Sequence, residues 1–259
     1  RPSLYRLTQR YPMPHLGGHL ARTAIIALMK LAPYGAQVMP HEEAPTRARE
    51  DRLRLLEATR VHLEPILGVL EDPQGRFAET VRTAPVGTAV EARTDAGGEH
   101  RLEPIDDEET IEALIGAAEA ARVWIADGHA RYDAALAFRE GLGEREGAVP
   151  EDYIPIALVS RQDPGLTILP SHRIVSRPPI GTEAAIAKLG EVFELESHHS
   201  SRLYHGLGQA RVEGRRAIAV AFEGGRGYIL TPRADVDLAA RMGTEGSDRL
   251  RNQDVAILH

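Results

Sequence analysis

Residues 121–139, RVWIADGHARYDAALAFRE, run from an apolar stretch straight into Asp127-Gly128-His129 and then into an alanine-rich segment. Residues 123–127 read as a buried strand and 130–142 as a helix. The first turn of such a helix leaves backbone N–H groups unpaired and carries a partial positive charge. Gly128 lets a ligand approach that backbone, His129 and Arg131 add donors, and Asp127 adds a carboxylate. The collection suits a phosphate, with Asp127 placed to touch Mg²⁺ or to accept a proton from a hydroxyl. The same residues also read as a plain helix start, with Asp127 as cap, Gly128 as a tight turn, and His129 and Arg131 solvated. A single glycine is a weaker signal than a full phosphate-binding loop, so both readings stand at this point.

Two further segments carry chemistry. In HEEAPTRARED (41–51), His41 and Glu42 are candidate general bases or metal ligands, and Arg47 and Arg49 are candidates to clamp a phosphate. The plainer reading is a solvated loop entering an amphipathic helix. In LPSHRIV (169–175), Ser171, His172 and Arg173 follow an expected strand, where His172 and Arg173 would complete an anion pocket beside the seam. The alternative there is a surface turn whose arginine stem lies along apolar surface. Metal motifs are weaker. His15 and His19 have helical spacing, but Pro14, Gly17 and Gly18 oppose a helix, and nothing matches H-E-x-x-H. His198-His199 is read as part of a polar surface loop.

These residues need a scaffold. A strand is expected at 4–9, and 23–31 is apolar without settling between helix and strand. Residues 48–62 read as a helix stopped by Pro65, and 66–70 as a buried strand. Alternating runs around Asp95–Gly98 predict a hairpin, and 107–120 an acidic-first helix. YIPIALVS (153–160) and LTILP (166–170) read as strands, 181–193 as a helix, and 216–232 as a hairpin turning at Gly224-Gly225. The expected class is α/β, with α+β possible: a mixed sheet with flanking helices and β-hairpins. A single domain over 1–259 is expected.

The 259 residues carry 31 Lys+Arg against 38 Asp+Glu, a formal charge of −7. That excludes a whole-protein basic field for nucleic acid. Residues 46–60 hold five arginines against three acidic groups, but no aromatics are interleaved to stack bases. No apolar run approaches the ~18 residues of a membrane-spanning helix. There are no cysteines, which removes disulfides and thiolate chemistry and fits a cytoplasmic protein. The start at Arg1 and the apolar final residues DVAILH read as an internal piece of a longer chain, truncated at both ends.

IADGHARYDAALAFR looks like the ADGHHRYETALAYR signature of a bacterial and archaeal family known as domain of unknown function 1015. Residues 41–73, DPGLTILPSHRIV (163–175) and the terminal DVAILH resemble further segments of that family in the same order. Two departures matter: Ala130 stands where the family has a second histidine, and Ala44 where it has a threonine. The strand–DGH-x-R–helix pattern is also similar to the phosphate-binding box of the ParB/sulfiredoxin superfamily, which includes nucleotide-binding ParB domains, sulfiredoxins and free-serine kinases. That resemblance implies a compact core around a mixed sheet, with nucleotide phosphates at the glycine turn. It implies a kinase acting on a small hydroxyl metabolite such as free serine, using ATP or ADP with Mg²⁺. Gly128, His129, Arg131, His172 and Arg173 would bind phosphate or nucleotide, and Asp127, His129, Glu42 and His41 would be catalytic, with Asp127 also touching Mg²⁺. The alternative is a non-catalytic nucleotide-binding regulatory module, which the loss of a histidine at Ala130 favours. The expected partners are a nucleotide and a small molecule, with no nucleic acid and no membrane.

Overall fold

The computed structural model describes residues 3–13, 18–143, 147–168 and 172–238. By its internal contacts the chain divides into one unit ending at Leu169 and a second beginning at Pro170.

The elements of the first unit are β1 (Leu4–Met13), β2 (Gly18–Lys30), β3 (Val38–Pro40), α1 (Thr46–Thr59), β4 (Ile66–Leu70), α2 (Arg76–Thr83), β5 (Val90–Arg93), β6 (Glu99–Ile105), α3 (Glu108–Glu119), β7 (Val123–Asp127), α4 (His129–Gly141) and β8 (Tyr153–Ser160). All eight strands join one sheet in the order β3-β7-β4-β8-β2-β1-β6-β5. It is mixed: β3 runs parallel to β7 and β4 parallel to β8, while the other neighbours are antiparallel. Segment 23–31 resolves as strand. Its backbone pairs with β1 on one side and β8 on the other, and that double pairing buries Ala24 and Ile25. Ile66, Ile125, Ile154 and Ile156 are fully buried on the central strands and share a core with Leu56, Phe77, Leu114, Tyr132 and Phe138 from the helices. Helix α1 packs on α4, and α2 on α3.

The second unit holds α5 (Thr182–Gly190), β9 (Phe193–His199), α6 (Leu203–Val212), β10 (Ile218–Ala221) and β11 (Arg226–Pro232). Its antiparallel sheet has the order β10-β11-β9. Gly206 of α6 lies so close to Ile229 that an added Cβ would sit 2.9 Å from it.

The α/β expectation with a mixed sheet and two hairpins holds, and several local expectations need correction. Helix α1 ends at Thr59, well before Pro65. Arg60 turns into the left-handed region (φ 55°) and donates its N–H to the Leu56 carbonyl, closing the helix by an αL cap. Residues 166–168 form no strand, and 169–170 lie outside the described residues. Asp163 accepts the Gly165 and Thr23 N–H groups instead, which folds the chain into a turn and leaves no ladder for Leu166 to join. His198 and His199 lie on β9, paired with Gly227 and Arg226, and not in a loop. His19 sits on β2, so the helical reading of its spacing fails. His15 and the terminal DVAILH lie outside the described residues.

Candidate functional site

Strand pairing assembles the site. Because β3 and β7 are parallel, with Pro40 opposite Ile125, the segments that leave them emerge at the same edge of the sheet. His41 and Glu42 follow β3, and Gly128 and His129 follow β7. Strand β4 runs antiparallel to β7 with Leu67 opposite Asp127, so the residues entering β4, Glu64 and Pro65, arrive at that edge too. Three stretches separated in sequence thus meet at the first turn of α4.

Gly128 is the N-cap of α4. It sits at φ 93°, and no side chain caps the helix. The reading of Asp127 as the cap therefore gives way: its carboxylate accepts a hydrogen bond from Arg131 at 2.9 Å instead. A Cβ on Gly128 would stand 2.7 Å from Ile66 Cγ2 and 2.9 Å from Arg131 Nη2. Both the left-handed backbone and the guanidinium lying across it require glycine here.

His129 is buried, and its ring is held from two sides. Nε2 accepts the His41 backbone N–H at 3.4 Å, and Nδ1 lies 3.5 Å from Glu42 Oε1. With Nε2 as acceptor, the proton of the neutral ring sits on Nδ1, which has Glu42 and the Ile125 carbonyl as neighbours. Burial pushes His129 down to about 4, and the neighbouring His41 ring adds to this; Glu42, Asp127 and the Ile125 carbonyl pull the other way. The imidazole is accordingly neutral near pH 7. His41 stacks edge-on against it, with ring centroids 4.5 Å apart. His41 Nδ1 lies 2.8 Å from the Ile125 carbonyl, which accepts its proton, and Nε2 lies 4.0 Å from Glu42 Oε2. One carboxylate therefore stands between two imidazoles, both presented by backbone contacts. Glu42 and His41 are partly exposed, so this cluster reaches solvent while His129 does not.

Arg131 is spoken for by protein. It donates to Glu64 at 2.6 Å, to Asp127 at 2.9 Å and to the Pro65 carbonyl at 3.3 Å. Its Nε is buried without an acceptor among the described residues. A phosphate at this arginine would compete with the two carboxylates that already hold it. Among the described residues no group of three or more His, Asp or Glu side chains converges on a metal position. Mg²⁺ here would rest on Asp127 and on ligand oxygens.

His172 and Arg173 belong to the second unit, in an irregular exposed segment, with Arg173 Nη1 3.4 Å from the His172 carbonyl. Ser171 lies outside the described residues. The first unit thus brings together Asp127, Gly128, His129, Arg131, His41 and Glu42. Two participants carry no motif signal. Glu64 reaches Arg131 only through the β4–β7 pairing. Asp133 accepts the Tyr34 hydroxyl at 2.8 Å and was detectable only as the residue one helical turn beyond His129.

Fold and site together define a mixed α/β protein with an acid–base cluster and an uncapped helix start at one sheet edge. The chain belongs to the family described as protein of unknown function (DUF1015), whose model matches residues 1–255. No curated protein and no solved structure matches it, so the ParB/sulfiredoxin likeness gains no support. Among the described residues no helix is long and apolar enough to cross a membrane.

Proposed function

We propose that this chain is a nucleotide-dependent phosphotransferase acting on a small hydroxyl-bearing metabolite, with ATP or ADP and Mg²⁺. The observation that carries the reading is Glu42 standing between His41 and His129 at the mouth of the uncapped α4 N-terminus. The substrate hydroxyl oxygen attacks the terminal phosphorus, its proton passes to Glu42 or to His41 Nε2, and the shortened nucleotide leaves. The amides of the first turn of α4 and Gly128 are positioned to receive phosphate oxygens, and Asp127 to help hold Mg²⁺. Buried neutral His129 lies beside Glu42, its Nδ1 3.5 Å from Oε1. Such chemistry needs chiefly positioning and charge neutralisation. Free serine is the substrate that the superfamily resemblance supplies, by analogy alone.

The test is a calorimetric titration with ATP, ADP and CTP plus Mg²⁺, alongside a screen for phosphorylated small molecules. Glu42→Gln is expected to leave nucleotide affinity nearly unchanged while lowering turnover by about 100-fold or more. A chain that binds no nucleotide would overturn the proposal.

The second reading, a nucleotide-sensing module, is favoured by one observation: Arg131 is already paired with Glu64 and Asp127. A phosphate that displaced either carboxylate would free the segment entering β4 and so report occupancy. Nucleotide binding without any phosphorylated product, together with Arg131→Ala weakening that binding, would decide for the sensor.

A further inference from the structure

Asp133 is an unusual carboxylate. It lies on α4 four residues beyond His129, and side chains at that spacing share a helix face. It is partly buried, and Oδ1 accepts the Tyr34 hydroxyl at 2.8 Å. Tyr34 is itself steadied against Tyr132, with ring centroids 5.2 Å apart. Tyr132 is fully buried and pinned through its hydroxyl to both backbone groups of Ala32. Tyr34 is therefore a fixed donor. Oδ2 of Asp133 has no hydrogen-bond partner among the described residues, and it is not sealed away from solvent. Among the described residues no ion pair reaches the carboxylate either. Arg49 of α1 acts on it only from beyond contact, and burial pushes the Asp133 carboxyl upward, with Tyr34 and Arg49 opposing. Taking a carboxylate partly out of water raises the value of a cationic partner. Among the described residues a neutral hydroxyl fills one of the four lone-pair positions of Asp133, which leaves acceptor capacity on Oδ2.

We propose that Asp133, held by Tyr34, is the recognition site for a substrate ammonium group, so that the small hydroxyl substrate is an amino alcohol. The proposal rests on the reading of the seam as a hydroxyl-handling site. It places the substrate's hydroxyl toward Glu42 and His41 and its positive end one helical turn further along α4. A charge-assisted N–H···O bond in partly buried surroundings discriminates strongly against the uncharged analogue.

The experiment uses the smallest matched pair of probes, ethanolamine and ethylene glycol, followed by ligand-observed NMR on the full chain without nucleotide. Wild-type protein is expected to hold ethanolamine at least about tenfold more tightly than ethylene glycol. Asp133→Asn keeps an acceptor for Tyr34 but removes the charge, and should abolish the difference. Tyr34→Phe keeps the charge, and should retain most of it. If Asp133 only pins Tyr34, the two variants would lose thermal stability alike and neither would alter amine selectivity; that result overturns the proposal. Equal binding of the two probes by wild-type protein overturns it as well, with no variant needed. Loss of amine binding in Glu42→Gln but not in Asp133→Asn would move the ammonium to Glu42 and overturn it too. Because nucleotide is absent, a protein that binds ethanolamine at Asp133 but transfers no phosphoryl group would refute only the phosphotransferase reading.

Discussion

At the scale of single residues, the site is governed by how much water each group keeps. His129 and His41 are neighbours of the same type, yet one is buried and the other partly exposed. Burial holds His129 near 4, below the 6.5 of a solvated imidazole. A group whose folded value is depressed takes up its proton more readily in the unfolded chain. The stability it contributes is therefore complete above about pH 6.5 and is lost as pH falls toward 4. Wild-type protein should thus lose thermal stability more steeply between pH 6.5 and 4 than His129→Gln, in melts followed by circular dichroism. Parallel pH profiles for the two proteins would mean that His129 is solvated in the folded state. Glu42 lies within 4.0 Å of both rings, one oxygen toward each.

At the scale of elements, two of the described helix starts are capped by a carboxylate and the other four have no side-chain cap. Helix α3 is capped locally, by Asp107 accepting the Thr110 N–H at 2.9 Å. Helix α2 is capped from the turn that follows β4: buried Asp72 accepts the N–H groups of Phe77 and Ala78 and the hydroxyl of Ser160. Helix α4 has no side-chain cap at all. Helices α1, α5 and α6 likewise have no side-chain cap, so what sets the α4 start apart is the Glu42, His41 and Asp127 side chains gathered around it. The internal caps are expected to matter for stability. Asp72→Ala strands two amides and a buried hydroxyl, and should cost about 2–3 kcal/mol in urea denaturation. Asp72→Asn, which keeps an acceptor, should cost roughly half as much. A loss under about 0.5 kcal/mol for Asp72→Ala would show that water replaces the carboxylate there.

At the scale of the whole molecule, every contact drawn at the seam comes from the first unit, whose sheet takes all of its strands from residues 4–160. A chain of residues 1–169 is therefore expected to unfold in one cooperative transition. It should also keep the nucleotide affinity of the full chain to within about threefold, an energy well under 1 kcal/mol. A loss of tenfold or more, about 1.4 kcal/mol, would assign part of the site to the second unit, with His172 and Arg173 as the first residues to substitute. The match to the family model spans both units.

The sequence by itself determined the strand–Gly–helix seam, the α/β class, both hairpins and the helices α1, α3, α4 and α5 to within a few residues. In each, the information is local: apolar periodicity, a glycine at the turn, acidic residues at a helix start. It did not determine that His41 and Glu42 belong beside His129, because that rests on the parallel pairing of β3 with β7. Val38–Pro40 is too short to show any period, so β3 exists only by virtue of its neighbour. Glu64, Asp133 and β9 were missed for the same reason. Alternation along a chain reports which side chains seek cover, whereas the identity of the partner that provides it is set by pairing across many residues. Only the tertiary structure decided that Arg131, a phosphate ligand by motif, is held between Glu64 and Asp127. The Asp127 pair has i,i+4 spacing that the chain itself offers, but the Glu64 pair spans 67 residues and exists only through the β4–β7 pairing.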